Sequence, residues 1–378
     1  MNLMLLVIIV LFMCLGCFFY LIHRLRKVSD NGDLAASVDL EVDKFTQKIS
    51  LSAMVVGVYQ NNQTYIKGYG TAEPDESTIF QIASLSKLFT TSLLAILCEE
   101  KIVRMSSTLE ELIGHQYELS TDAKLVTLEQ LATHKSGFPK VPKSLLNIAI
   151  QVMGKDKLMN NPYSTITLSH VWDYLKTTDD KKLPGRFEYS NFGIGLLGHV
   201  LEMVMEKDLD QLTKERIFMP LNMGTTSIKL TPQMTKNLTQ GYSSDGTEAE
   251  LWTFGALAGA GAFHSNIDDL MKFVVANIDA SNLIAATLMP TEPLAEGQPD
   301  YVGWMKPQFI ERFFGNKTSL WHNGMVGGYS SYIAFDTVNK TGVAILSSKA
   351  VDVTMLGIML MRQARTQSWH LNTRFKPI

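Results

Sequence analysis

The chain has 378 residues, 46% hydrophobic and 19% charged, with a formal net charge of −3. These are globular values that exclude a disordered chain, and the lack of a basic excess argues against nucleic acid as a partner. Of the three cysteines, only Cys98 lies outside the N-terminal apolar stretch, so no intramolecular disulfide can brace the rest of the chain.

The first predicted element is a membrane span. Leu3 to Ile22 carries no charged residue, and about twenty helical residues rise about 30 Å, the hydrocarbon thickness of a bilayer. A cleaved signal peptide would show a basic start, a shorter apolar stretch and a small-residue cleavage site, and none is evident. Residues 1–27 therefore read as an uncleaved single-pass anchor with a basic flank, His23, Arg24, Arg26 and Lys27. The positive-inside rule would hold that flank in the cytoplasm. Cys14-x-x-Cys17 has no second ligand pair, so no metal and no cofactor is expected. Residues 28–37 read as a linker, 38–365 as one domain and 366–378 as a C-terminal tail.

Within the domain, Val38, Val42, Phe45 and Ile49 recur at helical spacing. Ala53 to Tyr59 is a β-rich run, which Asn61-Asn62-Gln63 turns into a second strand, Thr64 to Gly70. Ser84 opens a helix whose apolar residues Leu85, Leu88, Phe89, Leu93, Ile96 and Leu97 cover much of its circumference, as in a central buried helix. Helical patches and polar loops fill roughly 100 to 290. There Pro184-Gly185 precedes Tyr189-Ser190-Asn191, and a helix bearing Ile194, Leu197, Leu201 and Val204 follows. That helix spells a literal G-x-G-x-x-G at Gly193, Gly195 and Gly198, but it follows no predicted strand, so dinucleotide binding is not expected.

Further on, His322-Asn323 leads into a strand expected to start at Gly324. Tyr329 to Phe335 and Gly342 to Ser347 read as a strand pair around a polar turn, and Met355 to Gln363 as a closing helix. Strands at both ends with helices between imply an α+β fold, an α/β sandwich. Its antiparallel sheet is built from both ends of the domain and flanked by helices, with an inserted, mostly helical subdomain.

Three motifs carry chemistry. Ser84 and Lys87 are i and i+3 on one helical face, a hydroxyl beside an amine that can take its proton once its pKa is lowered. Tyr189 and Asn191 sit on a loop that can aim a phenol at the serine and an amide at a substrate. His322-Asn323-Gly324 precedes Met325, whose N–H can oppose that of Ser84 as a second oxyanion donor. There is no G-x-S-x-G elbow and no H-E-x-x-H helix.

With these motifs the chain resembles the serine β-lactamase and penicillin-recognising family, on its class C β-lactamase, DD-peptidase and esterase branch. Supporting stretches are Phe80-Gln81-Ile82-Ala83, Leu131 to Pro139, Pro220-Leu221-Asn222-Met223-Gly224 and Gly261-Ala262-Phe263-His264-Ser265. The resemblance implies Ser84 as acylated nucleophile, Lys87 as its activating partner and Tyr189 as proton shuttle. Asn191 would bind the substrate amide and hold Lys87. His322 would stand where relatives place the lysine of K-T-G, a departure that lowers the expectation of efficient β-lactam hydrolysis. His134 resembles a structural loop residue. The implied activity is hydrolysis of a small-molecule or peptide amide or ester, in a periplasmic or extracellular domain, opposite to what the basic flank suggests. A catalytically silent scaffold of the same fold is the alternative, and the intact Ser84, Lys87, Tyr189 and Asn191 set argues against it.

Overall fold

The structure, a computed structural model, describes residues 33–47, 49–154, 161–279 and 302–367. The anchor expected at 1–27 and most of the C-terminal tail lie outside these residues. Among the described residues, no helix is long and apolar enough to cross a membrane.

Helix α1 (Leu34–Thr46) begins inside the stretch read as linker. The Asp33 carboxylate accepts from the N–H of Ala36 at 3.2 Å and caps it. Aspartate serves loops and N-caps through the same kind of hydrogen bond, so composition alone did not separate the two. Leu34, Val38 and Val42 are buried, while Ile49 lies past the helix end.

Strands β1 (Met54–Gln60) and β2 (Gln63–Tyr69) form a hairpin across Asn61 and Asn62, at φ 52° and 61°. A two-residue turn that matches strand twist needs positive φ at both positions, which asparagine tolerates. Strands β3 (Leu320–Met325), β4 (Ser330–Asp336) and β5 (Thr341–Ser347) come from the other end of the domain. The sheet runs β2-β1-β5-β4-β3, antiparallel throughout, so the β1–β5 pair joins the two ends. Strand β3 starts at Leu320, ahead of the expected Gly324. His322 is buried and Asn323 half-buried, so no polar and apolar alternation marks the strand.

Strands β1, β4 and β5 are buried along their whole length because both faces of the sheet are covered. Helix α1 and the last helix, Thr354–Thr366, pack on one face around Val56, Val58, Ile345 and Leu360. The other face, through Val55 and Leu346, continues into the core of the helical part. That part holds α2 (Ser86–Glu99) and α3 (Asn191–Met205), with α4 (Ile267–Ile278) laid against the sheet. The candidate site lies between the helical part and the edge strand β3.

Candidate active site

Ser84 sits in a single tight turn, Ala83–Leu85, that runs into α2, so the α-helix proper begins two residues later than expected. Ala83, immediately before it, has φ +51°, a left-handed conformation that costs an L-residue about 1–2 kcal/mol. Ile82, Ala83 and Leu85 are buried on either side while Ser84 stays partly exposed. At the start of a helical turn its N–H needs no intrahelical acceptor and is free to face a developing negative charge.

Lys87 follows one turn later and is buried. Its Nζ lies 3.0 Å from Ser84 Oγ and donates to the Ala260 carbonyl at 2.6 Å. Burial first, and then the neighbouring Lys140, hold the amine well below the usual lysine range, so a neutral amine faces the hydroxyl. The carbonyl comes from the turn Gly255–Ala260, which packs against α3. A Cβ at Gly195 would fall 2.6 Å from Leu257. Close packing of helix on turn is thus the use made of the G-x-G-x-x-G run.

Tyr189 stands on a loop clamped from both sides. Ser190 Oγ accepts from the Gly193 N–H at 2.8 Å, capping α3, and donates to Pro139 O at 2.8 Å. The Ser190 N–H donates to His134 Nδ1 at 3.1 Å, and the His134 ring lies 4.6 Å from that of Tyr189. His134 is therefore a buried support of this loop, in keeping with its expected structural place. Tyr189 lines the same cavity as Ser84, and its ring centroid is 5.0 Å from Lys87 Nζ. Burial pushes the phenol well above its ordinary range, so it stays protonated. Lysine down and tyrosine up is the division of labour expected of a base and an acid sharing one hydroxyl.

Asn191 lines the same cavity as Ser84 but does not hold Lys87, contrary to the expectation drawn from the resemblance. Its Nδ2 donates to the Tyr163 hydroxyl at 2.6 Å, and Lys87 turns to Ala260 instead. Tyr163, from a loop with no sequence mark, takes the amide. Asn191 Oδ1 is buried with no partner among the described residues.

The edge strand supplies the rest. The Val326 N–H donates to Tyr329 O at 2.9 Å, which makes those two a hydrogen-bonded pair. Antiparallel ladders alternate, so Met325 turns its N–H away from β4. The same alternation sends Trp321 outward, where it exchanges two hydrogen bonds with Met305. Met325 and Ser84, whose N–H groups are expected to oppose each other, line one cavity. Asn323 is a correction: its Nδ2 donates to Thr354 Oγ1 at 2.8 Å. Side chains alternate along a strand, so with His322 and Gly324 on the site face Asn323 must point to the other.

His322 is buried, and its Nδ1 lies 2.6 Å from the Asn323 carbonyl. A carbonyl has no proton to give, so Nδ1 carries one and Nε2 is left as an acceptor. Burial, with Lys87 second, lowers its pKa to about 3. The ring is thus neutral at pH 7 and cannot supply the permanent charge of a lysine. Below the ordinary histidine pKa of 6.5, the unfolded chain binds protons that buried His322 and His134 refuse. Stability from this source is present above pH 6.5 and lost as pH falls towards 3. Calorimetry should therefore show Tm declining below pH 6.5, and His322→Gln should flatten the decline. An identical slope in that variant would rule out a share for His322.

The cavity measures about 550 Å³. Tyr163 stacks on Phe254 at 4.9 Å, and Trp252 lies 5.9 Å from Tyr163, forming an aromatic wall. The buried Gln81 side chain bonds both the N–H and C=O of Trp252 (3.0 and 2.7 Å), tying this wall to the segment that carries Ser84. Sequence reasoning missed Tyr163, Trp252, Phe254, Lys140 and the Ala260 carbonyl. A backbone acceptor has no sequence signature, and an aromatic residue in a loop reads as ordinary packing.

The Beta-lactamase family profile matches residues 38–366. Among curated proteins the chain is similar to the β-lactamase of Yersinia enterocolitica, 24% identical over 363 residues, covering 84% of this chain and 87% of that one. It is also similar to the D-alanyl-D-alanine-carboxypeptidase/endopeptidase AmpH of Escherichia coli K12, 25% identical over 262 residues, covering 67% of this chain but 64% of that enzyme. A solved class C β-lactamase superposes with a TM-score of 0.74 at 19% identity, over 88% of this chain and 97% of that one. That likeness speaks for the fold alone. The profile takes in most of the chain and agrees with the sheet described above, and on these grounds the protein belongs to the β-lactamase family of serine hydrolases.

Proposed function

We propose that the protein hydrolyses an amide or ester through an acyl-enzyme on Ser84. The observation that carries this reading is a buried amine with a depressed pKa, 3.0 Å from a partly exposed serine hydroxyl. Neutral Lys87 takes the proton as Ser84 Oγ attacks the carbonyl carbon. The N–H groups of Ser84 and Met325 face the oxyanion that forms. Collapse breaks the bond to the leaving group, which receives a proton from Tyr189, and Lys87 restores that proton. Water then adds to the acyl-serine by the reverse proton path, releasing the acid and the free hydroxyl.

Acyl donors of the D-amino-acid peptide, small ester and β-lactam classes all fit this scheme. Neutral His322 favours the small ester, because the carboxylate of a β-lactam or of a D-amino-acid peptide would find no fixed cation there. The uncharged Leu3–Ile22 stretch supports attachment to a membrane, and the family likeness supports an external domain. Intact-mass spectrometry after exposure to a D-alanyl peptide, a 4-nitrophenyl ester and a penicillin tests the reading. A mass increase equal to one acyl group is expected from at least the ester. No adduct and no turnover with any of the three would remove it.

A further inference from the structure

We propose that Lys140 selects acyl donors bearing an anionic group, such as a carboxylate, on an apolar body, an inference that rests on the acyl-enzyme reading above. The Lys140 side chain is exposed and lines the cavity that Ser84 lines. Its backbone is fixed, because the Lys140 carbonyl accepts from the N–H groups of Asn191 and Phe192, both at 3.1 Å. The backbone of Lys140 is thus tied to the first turn of α3, and its side chain shares the cavity with Tyr189. Its charge also reaches Lys87, which it helps to depress.

Among the described residues the charge has no partner. No carboxylate lines the cavity, and among the described residues Lys140 forms no ion pair. His322 is neutral, and Lys87 is committed to Ser84 and Ala260. Across the cavity, Tyr163 and Phe254 present a stacked apolar wall. A flat apolar acyl group laid on that wall with its carbonyl at Ser84 would have Lys140 as the cation within reach of a substituent. An anion there gains attraction without displacing an existing ion pair. In a solvent-accessible site that gain amounts to roughly two- to fivefold in kcat/KM.

The test compares 4-nitrophenyl 4-carboxybenzoate with 4-nitrophenyl 4-methylbenzoate, a matched charged and neutral pair. The quantity read is the ratio of their kcat/KM values, because Lys140 also influences Lys87 and so affects both rates. The wild type should prefer the carboxylate ester, with a preference that shrinks as salt rises. Lys140→Met should lower the ratio roughly two- to fivefold, Lys140→Glu should lower it further, and Lys140→Arg should keep it. A ratio unchanged in Lys140→Met and Lys140→Glu, with both esters still turned over, overturns the role of Lys140 and leaves the acyl-enzyme reading standing. Failure of the wild type to turn over either ester, or to form an adduct, overturns both.

Discussion

Ser84→Ala and Lys87→Met should each lower kcat/KM for an activated ester by about 10⁴-fold, and the double variant should lose no more than the worse single. The two groups form one device. The hydroxyl is a poor nucleophile until its proton leaves, and the amine 3.0 Å away serves only if a hydroxyl is there to be deprotonated. Removing either removes the step, so nothing is left for the second change to take away. Methionine suits the test because it fills most of the lysine's volume in a site that is fully buried. It also removes a buried amine that resists being charged, at the expense of the hydrogen bond to Ala260. Thermal unfolding of Lys87→Met run beside the kinetics separates loss of chemistry from loss of fold. Losses that multiply in the double variant would show that serine and lysine act independently, and the proposed proton transfer would fall with that result.

Gly324→Ala should reduce activity at least 100-fold and destabilise the fold by about 1–3 kcal/mol, the range for forcing an extra methyl into packed structure. A Cβ at this position would lie 2.6 Å from Ser331 Oγ, 2.7 Å from Ile82 O and 2.8 Å from Ser84 N. Two of those atoms are backbone, so the edge strand must move away from the turn that carries Ser84. The Ser331 hydroxyl already fills the gap, donating to Ile82 O at 2.8 Å and tying β4 to that turn. Displacing β3 would separate the N–H groups of Ser84 and Met325, and loss of one oxyanion donor alone amounts to about 10²–10³-fold in kcat. Adding Ser331→Ala to the variant removes the nearest contact and should recover part of the stability. Full activity in Gly324→Ala would mean that the strand need not touch the turn.

The residue patterns carried much of this protein before any folding. β-rich runs and turn chemistry located the Asn61–Asn62 hairpin and the strands β4 and β5, because those signals depend on neighbours a few residues apart. The spacing of Ser84 and Lys87 set their contact in the same way, since one helical turn brings i and i+3 together. The start of β3 and the start of α1 were misjudged for local reasons: buried polar side chains hide alternation, and an aspartate cap resembles a loop.

What folding alone decided depends on residues far apart in the chain. Whether Asn191 holds Lys87 or Tyr163, which face of β3 Asn323 takes, and whether His322 bears a charge are set by partners that no short window contains. The protonation of the site is the clearest case. A lysine, a tyrosine and a histidine have ordinary pKa values in any sequence, and only burial beside one another moves them. Sequence thus named the reacting groups, while the packing of the sheet edge on the helical part set their charge and aim.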